Sequence, residues 1–372
     1  MRSVARRFAV PLSTVQHWMT RAHQQRLDRV DWRDHSSAPR KTRRTTVSVE
    51  RRVLAARRRL KEISDLGEFG ADAIHRELLG HFDCLPSRRT IGRILERHGV
   101  LDGRKRVRRP PPPSGWYLPE VAARVCELDA FDTIEGLAIR GGPHLSILTG
   151  ISLHGGLAAA WPERKISATT VVDALLRHWY TFGLPGFAQF DNDNRFTGPR
   201  QHPDAIGRVI RLCLSLHVSP VFAPPNETGF QAAIESFNGR WQAKVWNRFV
   251  HARLRDLRQR SQRYGAASRQ RNATRIEAAP PRSSIPDRWQ LNLQTRPRGQ
   301  IIFLRRTTGT GSLEILGHTI TVDRDWVHRL VRAEVDLDHD LIRFFALRRR
   351  APLDQPLLNQ VPYRFPEKAF QE

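Results

Sequence analysis

The sequence has little that would place it in a membrane or outside the cell. Its three cysteines, Cys84, Cys126 and Cys213, lie far apart and form neither a CxxC zinc signature nor a disulfide framework. No apolar run approaches the roughly 20 residues that a membrane helix needs. The first residues, MRSVARRFAV, lack the sustained apolar segment of a signal peptide. These absences predict a protein of the reducing cytoplasm with no membrane partner.

Acidic residues are also scarce. The chain of 372 residues has 37 Asp and Glu against 62 Lys and Arg, a net charge of +25. Such an excess points to a polyanionic partner, DNA or RNA, before an anionic membrane surface. Residues 1–111 hold 27 basic and 12 acidic residues, so more than half of the excess lies in under a third of the chain. Because 40% of the residues are hydrophobic, the chain can bury a core and is not disordered.

Residues 1–30 predict a helix-turn-helix that binds DNA. Pro11 interrupts the stretch RSVARRFAVPLSTVQHWMTR, so one helix ends before it and a second follows. Val15 and Trp18, three residues apart, are expected to face inward. An ordinary helical hairpin is the alternative, and residues 31–47 read as a polar linker. The side chains expected to face a DNA groove are Gln16, His17 and Arg21.

Residues 48–102 predict a second helix-turn-helix or winged-helix module. Ser87 is a good N-cap, and Ile91, Ile94 and Leu95 follow it with helical spacing. The alternative is a helix whose polar face is merely solvated. The side chains available to phosphates or base edges are Arg88, Arg89 and Arg93.

The rest of the chain divides at changes of composition. Residues 103–115, GRKRVRRPPPPSG, form a basic, proline-rich linker. Residues 116–280 predict the order β-β-β-α-β-α-β-α, an α/β layered core that ends in one long helix. Residues 281–297 read as a linker, and residues 298–348 alternate short β-branched runs with turns, as in a small antiparallel barrel. Residues 349–372 predict a poorly ordered tail.

Three carboxylates stand at the ends or faces of core elements. Asp129 lies in the first strand, Asp191 ends the fourth in FAQFDND, and Glu235 lies early in the long helix. Taken singly, each is ordinary as a turn residue or a solvated one. Together they could hold Mg²⁺ or Mn²⁺, which prefer oxygen ligands, and two ions about 3.5–4 Å apart would clamp a phosphodiester. Asp132 and Asp193 are competing ligands, with Asp129 and Asp191 preferred.

The segments around these acids resemble the retroviral-integrase-type transposases of bacterial insertion sequences. The matching stretches are ELDAF, GLPGFAQFDNDNRFTG and FAPPNETGFQAAIESFNGRW. The resemblance covers roughly residues 1–345. It implies a multidomain protein with an α-helical helix-turn-helix N-terminal region. A ribonuclease-H-like α/β catalytic core follows, with a mixed sheet flanked by helices, and then a small all-β C-terminal barrel.

The resemblance also implies an activity: metal-dependent cleavage of DNA ends and their strand transfer into target DNA. Asp129, Asp191 and Glu235 would bind two Mg²⁺ or Mn²⁺ ions, and Asn192 and Asn238 would shape the site. The partners would be double-stranded DNA and further copies of the chain, in a bacterial cytoplasm at the nucleoid. A decayed transposase acting as a DNA-binding regulator and a ribonuclease-H-type nuclease are the alternatives. Two further DNA contacts are expected from Arg240 and Lys244.

The chain departs from the pattern it resembles in three places. The usual D-N-G-x-E-F reads DNDNRF here, so Asp193 replaces a turn glycine and Arg195 an acid. The interval between the second and third acids is longer than usual. Gln242 stands where a basic residue is common, and Lys244 follows two positions later.

Overall fold

The computed structural model describes most of the chain and divides it into two units, residues 1–52 and 53–372. Much of both predicted linkers before the core lies outside the described residues. Among the described residues, no helix combines the length and the apolar character needed to cross a membrane. The described residues are 1–33, 45–80, 85–101, 114–139, 141–199, 202–227, 229–349, 351–367 and 369–371.

The first unit contains two helices on either side of Pro11. Helix α1 spans Arg2–Arg7 and α2 spans Leu12–Ala22, followed by a short 3-10 turn, Leu27–Arg29. Val15 is buried as predicted, but Trp18 is 45% exposed, so the prediction that it faces inward is wrong. Few other buried apolar residues lie on these two short helices, which leaves little surface for a tryptophan to pack against.

The second predicted module is helical. Helix α3, Val47–Ile63, crosses the boundary between the two units, and α4 (Ala71–Glu77) and α5 (Arg88–Arg97) follow. The Ser87 hydroxyl accepts a hydrogen bond from the Thr90 amide at 3.2 Å, which confirms the predicted N-cap. The described residues of this module form no strand. The side chains buried at 0% exposure are Val53, Ile74, Ile91, Ile94 and Leu95.

The core has the predicted element order, with two short helices in addition. The helix Ala168–Phe182 is capped by Ser167, whose side chain accepts a hydrogen bond from the Thr170 amide, and it ends at Gly183, which has φ +83°. The elements are α6 (Pro119–Ala122), β1 (Leu128–Ala138), β2 (His144–Ser152), β3 (Ala158–Glu163), α7 (Ala168–Phe182), β4 (Phe187–Phe190), α8 (Asn194–Thr197), α9 (Arg208–Ser215), β5 (Ser219–Phe222) and α10 (Ala232–Trp241).

These strands form a mixed sheet in the order β3-β2-β1-β4-β5. Strands β1, β2 and β3 are antiparallel neighbours, whereas β4 runs parallel to β1 and to β5. Alternate residues of β1 face opposite sides. Phe131 packs in the apolar cluster that contains α7 and α9, whereas Ala130 and Ile134 pack in the cluster that contains α10. Asp132 therefore lies on the α10 face, and Asp129 on the α7 face.

The C-terminal strands extend this sheet, so the prediction of a separate barrel is wrong. Strand β6 (Gln300–Arg306) pairs in parallel with β5 through Val221 and Ile302. The sheet then continues through β9 (Leu330–Asp336), β10 (Leu341–Ala346) and β11 (Leu357–Pro362), which gives nine strands within the described residues. Strands β7 (Ser312–Ile315) and β8 (His318–Thr321) form a separate hairpin. Strand β11 lies in the segment predicted to be a poorly ordered tail.

The long helix predicted after β5 is divided. A π-helical turn, Gln242–Trp246, follows α10, and the chain then leaves helical geometry before α11 (Leu254–Arg271) and α12 (Ala273–Glu277). Helix α11 packs against β3 at the edge of the sheet. Because α10 contacts β1 and β2 instead, the chain must change direction between them, and a π-turn is one of the known causes of a kink in a helix.

Candidate active site

Three carboxylates lie close together on the α10 side of the sheet. Asp132 is in β1, Asp191 directly follows β4, and Glu235 is in the first turn of α10. The pKa of Asp132 is raised to about 6, first by burial and then by the negative charges of Asp191 and Glu235, which together outweigh the lowering effect of its hydrogen bonds. A carboxyl responds in this way only to charges near it. The structure thus groups these three acids.

Hydrogen bonds from three elements hold Asp132. The Asn238 side-chain amide donates to Asp132 Oδ2 at 2.8 Å, and the Thr133 backbone N–H donates to Oδ1 at 2.7 Å. The Thr149 hydroxyl, opposite Asp132 on β2, lies 2.7 Å from Asn238 Oδ1 and 3.0 Å from the Asp132 carbonyl oxygen. Asn238 thus contacts one of the three acids, and Thr149 is a supporting residue that the sequence reasoning missed.

Asp129, the β1 aspartate preferred from the sequence, lies on the opposite face of the sheet from Asp132. It is fully buried, and the Arg282 guanidinium donates to its two oxygens at 2.9 and 2.6 Å. The Trp179 indole N–H donates to Oδ2 at 3.1 Å. Three residues along a strand reverse the direction of a side chain, so Asp129 and Asp132 point to opposite faces. The carboxylate of Asp129 is used in an internal ion pair, and Asp132 takes its place beside Asp191 and Glu235.

The Asn192 side chain connects the carboxyl ends of β4, β5 and β6 through hydrogen bonds. Its amide nitrogen donates to the Ala223 carbonyl at 2.6 Å, just after β5. Its side-chain oxygen accepts from Arg305 of β6 at 2.7 Å. Both ends of the side chain are therefore bound within the protein. Arg305 was not expected at this site, because its segment was assigned to a separate domain.

The side chains predicted to bind DNA differ in their surroundings. Gln16 and His17 are exposed on α2, whereas Arg21 donates to the Arg33 carbonyl at 2.6 Å. These placements leave their contacts with DNA as predictions. The arginines of α5 and α10 that were predicted to bind DNA are exposed; they are Arg88, Arg89, Arg93 and Arg240.

Lys244 contacts the helical module, whereas a DNA ligand is expected to point into solvent. Its ammonium donates to the Gly67 carbonyl at 3.0 Å. Arg248, one turn later, donates to the carbonyls of Ser64 at 2.5 Å and Lys61 at 2.7 Å, at the end of α3. These contacts satisfy carbonyl groups that a helix C-terminus leaves without partners. The segment after α10 thereby holds the loop between α3 and α4.

Replacing Arg248→Ala is expected to loosen that loop. Charge-assisted hydrogen bonds are worth about 1.5–3 kcal/mol each, so the loop amides should exchange with solvent about 10-fold faster. Hydrogen exchange of residues 64–69 measures this change. Arg263→Ala, at an exposed position on α11, is the matched control and should leave exchange there unchanged. Equal exchange in both variants would show that Arg248 does not hold the loop.

Asp132 is expected to make the metal-free protein less stable as the pH rises. Its folded-state pKa of about 6 lies above the unfolded value near 3.9. The unfolded chain therefore loses this proton first, and the group's contribution, present below pH 4, is lost as the pH passes 6. The loss amounts to about 2–3 kcal/mol.

Urea denaturation at pH 4 and pH 7 measures this loss. Asp132→Asn should reduce the fall in unfolding free energy between the two pH values by about that amount, since all other groups are shared. An identical pH dependence in parent and variant would show that the pKa of Asp132 is not raised in the folded protein.

The donor chemistry of this site suits a hard divalent cation, but the side chains as placed do not form a cage. Within the described parts of the chain, no group of three or more His, Cys, Asp or Glu side chains is arranged to hold a metal ion. Asp132, Asp191 and Glu235 nevertheless offer carboxylate oxygens, the ligands that Mg²⁺ and Mn²⁺ prefer. Burial and the charges of Asp191 and Glu235 both raise the pKa of Asp132, and a bound cation would offset both effects.

The fold and the site define an α/β protein with a mixed sheet flanked by helices and a cluster of three acids. No protein-family model matches the chain, and no curated protein matches it in sequence. Solved structures that match include retroviral integrases.

The catalytic core domain of the HTLV-2 integrase, solved with magnesium, is 13% identical with a TM-score of 0.28. That match covers 36% of this chain and 81% of that one. A chain of the simian T-cell lymphotropic virus intasome, in complex with PP2A regulatory subunit B56 gamma, is 13% identical with a TM-score of 0.33, covering 81% and 95%. The core domain of the BIV integrase is 15% identical with a TM-score of 0.28, covering 38% and 80%. A likeness this remote says nothing about function.

Proposed function

We propose that this chain is a DNA transposase of the integrase type that cleaves DNA ends and transfers them to target DNA. The observation that carries the proposal is the grouping of Asp132, Asp191 and Glu235 from two strands and a helix. These acids lie in a chain with a net charge of +25. A protein so basic attracts a polyanion, and a cluster of carboxylates within it requires a counter-charge. A divalent cation and a phosphodiester together supply both.

Each residue of the site has a proposed role. Asp132, Asp191 and Glu235 would hold Mg²⁺ or Mn²⁺, with two ions expected. When bound, such ions supply Lewis-acid stabilisation of the attacking and leaving oxygens. Asn238 orients Asp132 through its 2.8 Å hydrogen bond, and Asn192 keeps the carboxyl ends of the strands together.

The remaining parts of the proposal concern DNA and origin. Residues of α2 and α5 would bind the ends of a bacterial insertion sequence, and exposed Arg240 would contact phosphates near the acids. The substrates would be double-stranded element ends and target DNA. Since two ends must be joined to one target, more than one copy of the chain would act together. The site of action would be the bacterial nucleoid.

A catalytically inactive DNA-binding regulator is the second candidate. The substitution of DNDNRF for the usual motif and the absence of a preformed metal cage in the described residues favour it. A nuclease without strand transfer is a third possibility on the same fold. All three predict salt-sensitive DNA binding, because phosphate contacts release counterions.

The test uses the full chain, labelled DNA carrying the inverted repeats that flank its reading frame, and Mg²⁺ or EDTA. Strand-transfer product that requires Mg²⁺ supports the proposal. Cleavage without transfer identifies a nuclease. Binding that weakens with salt, with neither product at any Mg²⁺ or Mn²⁺ concentration, identifies the regulator and overturns the proposal.

A further inference from the structure

Arg195 lies four residues after Asp191, at the start of α8, and joins two carboxylates from different elements. Its Nε and one terminal nitrogen donate to the two oxygens of Asp193, both at 2.7 Å. Its other terminal nitrogen lies 2.5 Å from Glu135 Oε1 on β1. The guanidinium is largely buried, with the side chain 20% exposed. A bidentate fork of this kind fixes direction as well as distance.

The neighbours of Arg195 are the residues whose amides hold the two strand acids. Its terminal nitrogen also lies 3.3 Å from the Thr133 hydroxyl, and the Thr133 amide donates to Asp132. The Asp193 amide donates to Asp191 Oδ1 at 2.9 Å. Arg195 therefore contacts Thr133, whose amide donates to Asp132, and Asp193, whose amide donates to Asp191.

These contacts assign Asp193 and Arg195 to each other and not to a cation or a phosphate. One oxygen of Asp193 also accepts the Arg195 backbone N–H at 2.8 Å and so caps α8, with φ −66°. Asp193 thus has no need of the left-handed backbone that a turn glycine would supply. All three side-chain nitrogens of Arg195 have protein partners. Asp193, which the sequence offered as a competing metal ligand, is paired with Arg195.

We propose that Arg195 is a positioning residue that holds Asp132 and Asp191 beside each other, so that both can turn toward a divalent cation when one binds. The inference rests on the proposed function. The ion pair to Glu135, which is 57% exposed, contributes little alone. The fork to Asp193 and the contact to Thr133 connect β1 to the segment after β4, beyond the last backbone pairing at Ala130 and Gln189. Among the described residues, the backbone pairing of β1 with β4 ends before Asp132 or Asp191 is reached.

The first measurement is Mn²⁺ binding to the full-length protein by titration calorimetry. Arg195→Ala should weaken Mn²⁺ binding about 10- to 100-fold, the usual effect of removing a residue that orients metal ligands. Arg195→Lys, which keeps the charge but loses the fork, should fall between that variant and the parent. The matched control is Arg258→Ala, which removes an arginine paired with Glu163 of β3; it should bind Mn²⁺ as the parent does.

The second measurement needs no metal. Arg195→Ala should speed hydrogen exchange at the amides of Thr133 and Asp193, while amides of α11 stay unchanged. Parent-like Mn²⁺ affinity in Arg195→Ala, or an equal loss in Arg258→Ala, would overturn the inference. If the parent itself fails to bind Mn²⁺, the proposed function fails. Unchanged exchange in Arg195→Ala would then show separately that Arg195 does not order the two acids.

Discussion

Asp132→Asn is expected to abolish Mg²⁺-dependent cleavage and strand transfer, with a loss of at least about 10³-fold. Loss of one of three charged ligands removes several kilocalories per mole of transition-state stabilisation, and each 1.4 kcal/mol is tenfold in rate. DNA affinity should remain within about threefold of the parent, since the basic surfaces that bind phosphates are unchanged. Gel assays of cleavage and of binding on the same preparation measure both quantities.

Asp132→Asn also decides which aspartate of LDAFD serves the site. The alternative, Asp129, has its two oxygens bound by Arg282, so it is not available to a cation in this structure. Full activity in Asp132→Asn would show that Asp132 is not a metal ligand, and would contradict the proposed site of Asp132, Asp191 and Glu235. Activity should be compared at equal folded fraction, because the variant is also expected to change stability at neutral pH.

Asp129→Ala is expected to destabilise the fold by about 3–5 kcal/mol, the usual cost of breaking a buried ion pair. The guanidinium of Arg282, whose side chain is 11% exposed, would lose the carboxylate to which it donates. His178 lies 3.9 Å from the Asp129 carboxylate. Burial lowers the pKa of His178 to about 4 despite that charge, so the histidine is neutral and contributes no cation. Urea denaturation measures the change.

The control for Asp129→Ala is Glu367→Ala at the surface. Glu367 is 69% exposed and pairs with Arg296 at 3.3 Å. Exposed pairs contribute less than about 1 kcal/mol, so this variant should unfold close to the parent. If Asp129→Ala were as stable as the parent but bound no metal, Asp129 would be a metal ligand and would not be a structural ion-pair partner of Arg282.

Local patterns were sufficient for several features of the core. Ser87 before Ile91 and Ile94 predicted a capped helix, and the structure has it. The apolar runs ending at Ser152 and Phe190 predicted strands in the right order. Such features depend on neighbours within a turn or a strand, so sequence spacing contains the information. The approximate positions of Asp191 and Glu235 followed for the same reason.

Features that depend on distant neighbours were not predictable. Ile301–Leu304 are buried on both faces because β6 lies inside a wide sheet, whereas the same apolar run also suits a small barrel. Lys244 resembled a DNA ligand by its place in a basic helix, but it contacts Gly67, 177 residues earlier. No local pattern specifies a contact across such an interval.

The sequence by itself determined the excess of positive charge, the order of helices and strands in the core, and the placement of candidate acids at their ends. Only the tertiary structure decided that Asp132, and not Asp129, lies beside Asp191 and Glu235. Strand alternation puts the two aspartates on opposite faces in either case. Which face received α10 and which received α7 depended on packing between segments 50 and more residues apart, and that packing has no signature in the order of residues.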